Sequence, residues 1–473
     1  MTATGQSVKQ SSLTDVIRPG TTRGLDFVIL EELRKRTGVE PKGVLKWAVV
    51  EILCNALDTD ATEIYVKLAD AISNFVVLTV SDNGSQKLTI DDLKLILNFE
   101  NKASSKRGLL RVSRGYLGNA LKCLFGYSYA LIESVSLPTQ NIVVESGPKT
   151  FTISLKPDKI REIINSEIEA KDRTDDRFTT FRIMFPKETV NVSELQNVIF
   201  ATSLVNPARK IIYTADNETR TYKWTENIQQ LRQETSILWY SSKQFQDLFK
   251  DYVRAVPRAQ LKQFIAIFRG FTSKQLIREI LQKLTASNRD SEANGEVQFL
   301  PTTMLSALAP SDVVNLYAIM KTTAKPIESR SIPSVLGSIG EEALTKVKEA
   351  NEWQRVRYVL EKSERTEVCE KFGKKEYMER CFKSCQTCSD RLSFPYLVEL
   401  AVFDRKADDT EGLQVYQCVN FMASMEDVFS RIFDIPYRLG RVGITKESPV
   451  TVLAHLVCPV LKWLNYGKSG LDE

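Results

Sequence analysis

Glu51-Ile-Leu-Cys-Asn55-Ala-Leu-Asp58 is the stretch on which the reading of this chain turns. It closes a segment, Gly43 to Asp58, that has no proline and few polar residues. Such a segment predicts a helix that is apolar nearly all round and therefore buried. Glu51, Asn55 and Asp58 stand at i, i+4 and i+7, a stripe about 60° wide, while Val49, Ile52, Leu53 and Ala56 mostly project elsewhere. Polar groups on a buried helix need partners, because burying one unpaired costs on the order of several kcal/mol. The stripe is either a polar edge meeting solvent or a capping loop, or a carboxylate and an amide facing something bound.

Outward from that helix, Thr62–Leu68 and Phe75–Val80 are rich in β-branched and aromatic residues, with turn residues Asp70 and Ser73-Asn74 between them. They read as paired strands. The second runs into Ser81-Asp82-Asn83-Gly84, which sets Asp82 at a strand end with a turn beyond it. An acid there is common in plain turns. Further on, Arg114-Gly115-Tyr116-Leu117-Gly118-Asn119 leads into Ala-Leu-Lys122-Cys-Leu-Phe125. That places flexible backbone at a helix N-terminus, where free N–H groups and the helix dipole favour phosphate. A glycine pair alone is more often a loop; all three pieces in this order point to a nucleotide site.

Together these runs resemble the GHKL ATPase superfamily, which holds gyrase-type and topoisomerase VI-type ATPases, MutL, heat-shock chaperones and histidine kinases. Glu51-x-x-x-Asn55-x-x-Asp58 matches the first motif, Asp82-x-Gly84 the start of the second, and Gly115-x-x-Gly118 the third. The preceding Ser104-Ser105-Lys106-Arg107-Gly108 is most similar to the topoisomerase VI B-subunit branch. The resemblance implies an α+β chain: a GHKL (Bergerat) α/β sandwich ATPase domain, a helical middle domain and a transducer-like α/β domain. It implies that Glu51 is the general base orienting the attacking water, that Asn55 holds Mg²⁺ against the phosphates of ATP, and that Asp82 accepts a hydrogen bond from the adenine amino group. Asp58, Gly84, Ser105, Lys106, Gly115, Tyr116, Leu117, Gly118, Asn119 and Thr180 complete the implied nucleotide-binding set. Two departures touch the adenine pocket. Ser85-Gln86 follow Gly84 where the family continues to a second glycine, and the strand Asp176-Arg-Phe-Thr179-Thr180-Phe has the threonine but not the glycine of the usual Gly-Thr.

The chain divides in sequence into a polar segment 1–20, an ATP-binding domain 21–235, a helical domain 236–350 and a transducer-like domain 351–473. The first segment reads as a frayed tail or, as in dimerising members of the family, a strap onto a partner subunit. Strands such as Lys210–Tyr213 and Arg220–Trp224 end the second region, and the third shows helical periodicity, as in Phe245–Val253 and Gln275–Leu284. It occupies the place of the helix-two-turns-helix domain in topoisomerase VI B subunits. Lys274, Arg278 and Lys283 there are a solvated face or, less simply, DNA contacts. In the last region a charged helix is expected from Asn351 to about Glu379. Strands then follow at Phe394–Phe403, Gly412–Asn420 and Val450–Pro459, the first two framing a polar turn from Asp404 to Glu411. Transducers present a lysine to the γ-phosphate, so the resemblance offers Lys468, in Tyr466-Gly-Lys-Ser469, as a catalytic contact; otherwise it is a solvated lysine.

The chain has 64 Lys+Arg against 59 Asp+Glu, a net of +5, too mild to demand or exclude nucleic acid. Its length of 473 residues carries a soft prior of two or three domains. No run of about eighteen apolar residues occurs and the N-terminus has no apolar signal core, so a soluble, cytoplasmic chain with no membrane contact is expected. Cys54 and Cys123 lie in apolar helix patterns. Cys369, Cys381, Cys385 and Cys388 could close a tetrahedral zinc site, though reduced free thiols on a charged insert are the simpler state. The single histidine, His455, lies in an apolar strand pattern and reads as a hydrogen-bonded core residue. No P-loop and no serine-hydrolase elbow is present. The expectation is an ATP-hydrolysing subunit that forms a homodimer on ATP binding and acts on DNA with a separate DNA-cleaving subunit. The alternative is a MutL- or MORC-like clamp or chaperone with no cleavage partner, and a third reading is a nucleotide-binding scaffold without turnover.

Overall fold

A computed structural model of the chain describes residues 17–19, 24–71, 74–99, 101–103, 108–112, 120–133, 142–226, 234–289, 298–366, 393–425, 427–429 and 435–461. The first region contains β1 (Ile17–Pro19), α1 (Leu30–Thr37), α2 (Val44–Leu57), β2 (Glu63–Asp70), β3 (Phe75–Asp82), α3 (Ile90–Ile96), β4 (Asn101–Ala103) and α4 (Ala120–Glu133). It continues through β5 (Ile142–Ser146), β6 (Lys149–Asp158), β7 (Ile163–Asp172), β8 (Thr179–Pro186), α5 (Val192–Leu204), β9 (Lys210–Ala215) and β10 (Glu218–Tyr222). The local signals are ordinary ones. Gly38, in the left-handed region at φ 69°, stops α1, and Thr89 with Asp92 forms a capping box that starts α3.

Eight of these strands form one mixed sheet in the order β10-β9-β2-β3-β8-β5-β6-β7, in which only β2 and β9 run parallel. The apolar alternation of β3 puts Val76, Leu78 and Val80 on the same face as Phe181, Ile183 and Phe185 of β8, and this face is buried. Helices α2, α4 and α5 pack together and against it. As its composition demands, α2 is enclosed on nearly every side: Leu45, Trp47, Ala48, Val49 and Leu53 have no exposed surface. The N-terminal residues Ile17–Pro19 pair antiparallel with Asn101–Ala103 of the same chain.

The middle region is helical, with α6 (Ser242–Ala255), α7 (Leu261–Ile265), α8 (Lys274–Arg289), α9 (Pro310–Thr323), α10 (Ile332–Leu336) and α11 (Glu341–Ala350). Phe245, Phe264, Phe268 and Tyr317 make its aromatic centre. The last region has β11 (Arg355–Thr366), β12 (Ser393–Asp404), β13 (Gln414–Val419), β14 (Met422–Ala423), α12 (Ile435–Gly440) and β15 (Val450–Val457), its sheet ordered β11-β12-β15-β13-β14.

One expectation is corrected here. The charged helix beginning at Asn351 is instead strand β11, at least from Arg355 to Thr366. Val356, Tyr358 and Leu360 are half-buried while Arg355, Arg357 and Val359 are exposed, a period of two that pairs with β12 along its whole length. The charges at Glu361–Arg365 imitate a helix surface only in sequence. The strands that frame the Asp404–Glu411 turn are separated in the sheet by β15, which runs antiparallel to β12 and parallel to β13. The turn closes on itself through Arg405, whose guanidinium is buried against the carbonyls of Glu411 and Gly412 and lies 3.3 Å from Asp409.

The last region is bound to the others by polar groups in the interior. Glu399 on β12 is 1% exposed. Its carboxylate accepts from Ile339 N (2.9 and 3.0 Å) and Gly340 N (3.0 Å) ahead of α11, from Tyr358 Oη (2.7 Å), and faces His455 Nδ1 at 2.9 Å. His455 Nε2 accepts from Phe421 N at 3.0 Å, which leaves the ring proton on Nδ1, directed at Glu399. His455 is thus the hydrogen-bonded core residue that its strand pattern suggests. Asn420 and Phe421 form the β13–β14 turn at φ 48° and 63°, an unfavourable conformation for phenylalanine. It is held by Asn206 Nδ2, which donates to Phe421 O at 2.8 Å from just beyond α5. Lys46 of α2 reaches Met425 O at 2.8 Å.

Burial by itself would push the Glu399 carboxyl up, but the donors from His455, Ile339 and Gly340 hold it below the ordinary glutamate value. A carboxyl depressed in the folded state stabilises above its unfolded pKa, and that contribution is lost as pH falls through the folded value. Glu399→Gln is expected to cost on the order of 3–5 kcal/mol in urea unfolding at pH 7. The deficit relative to the unsubstituted chain should shrink below about pH 4; a deficit independent of pH would show that the charge is not what the donors stabilise.

Candidate functional site

The residues of the Glu51 stripe behave differently along α2. Glu51 is 2% exposed, whereas Asn55 and Asp58 are half-buried. Glu51 lies on the side of α2 that meets α4, where its carboxylate is an electrostatic neighbour of the Cys123 thiol, pushed up to about 12 chiefly by burial. Asn55 has no hydrogen-bond partner for its side chain among the described residues. Asp58 caps the end of α2, with its charge beside the guanidinium of Arg111.

Asp82 ends β3 on the buried face that carries Val76, Leu78 and Val80, towards the helices. It is 8% exposed, its Oδ1 accepts from Gly84 N at 2.9 Å, and its carboxylate makes no other hydrogen bond among the described residues. Burial raises its carboxyl above the ordinary aspartate value, against the opposing influence of the Gly84 N–H and Lys87. The turn beyond is tightly specified. Asn83 Oδ1 accepts from Thr62 N and Glu63 N at 2.8 and 3.0 Å, and Asp60 Oδ1 accepts from Ser85 N at 2.7 Å. A side chain at Gly84 would put its Cβ 2.4 Å from Thr59 Oγ1 and 2.9 Å from Asp82 Oδ1, so this position admits only glycine without rearrangement.

The strand register separates the two threonines of β8. Thr180 lies opposite Ser81 and donates to its hydroxyl at 2.9 Å, so it belongs to the other face of the sheet from Asp82. Thr179 is the residue opposite Asp82, 5% exposed and 3.4 Å from Ser146 Oγ. The sequence motif drew attention to Thr180; only the register, which sequence does not display, brings out Thr179. Lys122, the third residue of α4, also went without a role in the sequence. It is completely buried and donates to Asn98 O at 2.5 Å. A buried ammonium requires compensating charge or carbonyl groups, and its electrostatic influence reaches the same Cys123 thiol as that of Glu51.

Ser105, Lys106, Gly115, Tyr116, Leu117, Gly118, Asn119 and Lys468 lie outside the described residues, as do Cys369, Cys381, Cys385 and Cys388. Among the described residues no group of three or more His, Cys, Asp or Glu could hold a metal, and Cys54, Cys123, Cys418 and Cys458 are buried free thiols. No helix among the described residues is long and apolar enough to cross a membrane.

The architecture thus defines a mixed α+β chain with a large mixed sheet and several helices, and with polar side chains set between helices and sheet. No family model matches the sequence, and no curated protein matches it. Among solved structures, one described as the N-terminal domain of a DNA repair protein is similar over 93% of this chain and 90% of its own, with 11% identity and a TM-score of 0.37. So distant a likeness carries no argument about this chain.

A carboxyl raised in the folded state costs stability above its folded pKa and costs nothing below its unfolded value, about 3.9 for aspartate. Asp82→Asn, which keeps an oxygen for the Gly84 N–H, should therefore raise the melting temperature at pH 7 and leave it unchanged near pH 3. Equal melting temperatures at pH 7 would mean that Asp82 carries no desolvation cost. Gly84→Ala should lose roughly 1–3 kcal/mol by overpacking against Thr59, read from the same thermal unfolding.

Proposed function

We propose that the chain is an ATP-binding and ATP-hydrolysing subunit of the GHKL type, related in organisation to the topoisomerase VI B subunit. The observation that carries this reading is the placement of Glu51 and Asp82. One carboxylate is buried on α2 beside α4, and the other ends β3 on the sheet face that these helices cover, with an oxygen left for a donor. A buried carboxylate with a single donor, as at Asp82, is expensive for folding alone, and a second carboxylate, Glu51, is buried midway along the neighbouring α2. They suit a site that orients a water at one end and receives an amino group at the other.

Glu51 would take the proton of the attacking water, and Asp82 would accept from the exocyclic amine of adenine. Asn55, whose amide is not engaged by described residues, would hold Mg²⁺, whose chemistry is to neutralise phosphate charge. Gly84 allows the chain to turn close to Asp82, with Thr179 at its side. The helical region between α6 and α11 favours the topoisomerase-like organisation over the MutL- or MORC-like clamp, which has no such insertion at this place. In this reading the chain pairs with a second copy on binding ATP and acts on DNA with a subunit that supplies strand cleavage.

Steady-state ATP hydrolysis with and without duplex DNA tests the proposal. Glu51→Ala should retain ATP and lose about 10²- to 10⁴-fold in turnover, the usual contribution of a placed general base. Stimulation by DNA is the outcome expected of the topoisomerase-like reading. Turnover by Glu51→Ala at the rate of the unsubstituted chain would remove Glu51 from the mechanism, and failure of the chain to bind ATP would remove the whole reading.

A further inference from the structure

Among the described residues, the backbone of Leu110 joins the helical region to the stretch that carries Arg111. Leu110 belongs to the short stretch 108–112, whose next residue, Arg111, lies beside Asp58 at the end of α2. Leu110 N donates to Tyr240 Oη at 2.6 Å, and Leu110 O accepts from Thr235 Oγ1 at 2.6 Å. The two hydroxyls lie 2.8 Å apart and bond to each other. Tyr240 is fully buried and Thr235 is 2% exposed, so no water competes for these groups.

Both residues are fastened on the helical side. Tyr240 O accepts from Tyr317 Oη at 2.8 Å and from Lys321 Nζ at 2.9 Å, both on α9, and the Tyr240 ring meets Phe268 edge-on at 5.7 Å. Thr235 O accepts from Arg269 N at 2.7 Å. On the side of the site, the Arg111 guanidinium, lowered chiefly by burial, is an electrostatic neighbour of the Asp58 carboxylate. A series of short hydrogen bonds therefore runs from Leu110 to α9, and the residue after Leu110, Arg111, ties its start to the electrostatic surroundings of Asp58.

We propose that Tyr240, assisted by Thr235, is a positioning residue that couples occupancy of the site at Glu51 and Asp82 to the α6–α9 helices. The inference rests on the nucleotide reading above and adds to it the route by which the helical region responds. A buried amide and carbonyl are costly to leave unmet, so a shift of residues 108–112 carries Thr235 and Tyr240 along instead of parting from them. The tyrosine's carbonyl passes the shift to Tyr317 and Lys321. Coupling of this kind is reciprocal: whatever holds α9 in one position also biases the site.

Hydrogen–deuterium exchange on the full chain, with and without Mg²⁺ and a non-hydrolysable ATP analogue, tests the route. In the unsubstituted chain the analogue should slow exchange around residues 51–58 and 82–84, and also in α9. Tyr240→Phe keeps the ring and removes the hydroxyl. It should preserve the first response and diminish that of α9 at least about fivefold, the lower end of ordinary coupling factors. Thr235→Val should do the same by losing the bond to Leu110 O, and Thr235→Ser should restore it. An α9 response in Tyr240→Phe and Thr235→Val equal to that of the unsubstituted chain overturns the coupling, as does a response at 51–58 and 82–84 with none in α9. No response at either place overturns the nucleotide reading and the coupling with it.

Discussion

A carboxylate sealed from water and surrounded by donors sets the arrangement of the last two regions. Glu399 cannot keep its charge in the interior unless the Ile339–Gly340 turn, Tyr358 and His455 all stay in place. The turn fixes where α11 begins, and the tyrosine fixes β11 against β12. The histidine transmits the constraint, because its second nitrogen holds the Phe421 N–H in a turn that phenylalanine would not adopt unaided. That turn leans on α5 through Asn206. Loss of any one donor leaves part of an ion unsolvated, so the helical region, the last sheet and the first domain are located together.

The candidate site follows the opposite logic in one respect. Where Glu399 has a donor for each of its oxygens, Asp82 has a single one, and its carboxyl is raised where that of Glu399 is lowered. Two buried acids in one chain are thus solvated to different degrees. The fully solvated one holds structure, and the under-solvated one is left able to receive another donor. The two threonines of β8 are both engaged within the sheet, Thr180 with Ser81 and Thr179 with Ser146, but only Thr179 shares the face of Asp82.

Much of this was legible in the amino-acid order. The α2 helix shows itself by apolar residues without interruption, β2 and β3 by branched and aromatic residues between turns, and Asp82 by its place before Asn-Gly. His455 declared its core role by the apolar strand around it. Three things were hidden for physical reasons. Strand β11 was masked because exposed charges do not distinguish a helix face from a sheet edge; only pairing with β12 does. Thr179 was passed over because a shift of one residue changes the face of a strand. Lys122, Tyr240 and Thr235 act through partners distant in sequence, Asn98 and Leu110 among them, and such partnerships leave no local pattern.

The interior also has a consequence for how the molecule comes apart. One apolar core runs without a break from Phe27 and the α2 residues, through Phe245 and Tyr317, to Leu453 and Val457. Boundaries that look natural in sequence near residues 235 and 351 therefore cut through shared packing. Heat should melt the three regions in a single absorption peak, with calorimetric and van't Hoff enthalpies in agreement. A fragment ending at either boundary would carry a bare apolar flank, with α5 stripped of the strands that cover it. In lineage terms, such a chain can exchange its last region for another only by rewriting the surface of α5 at the same time.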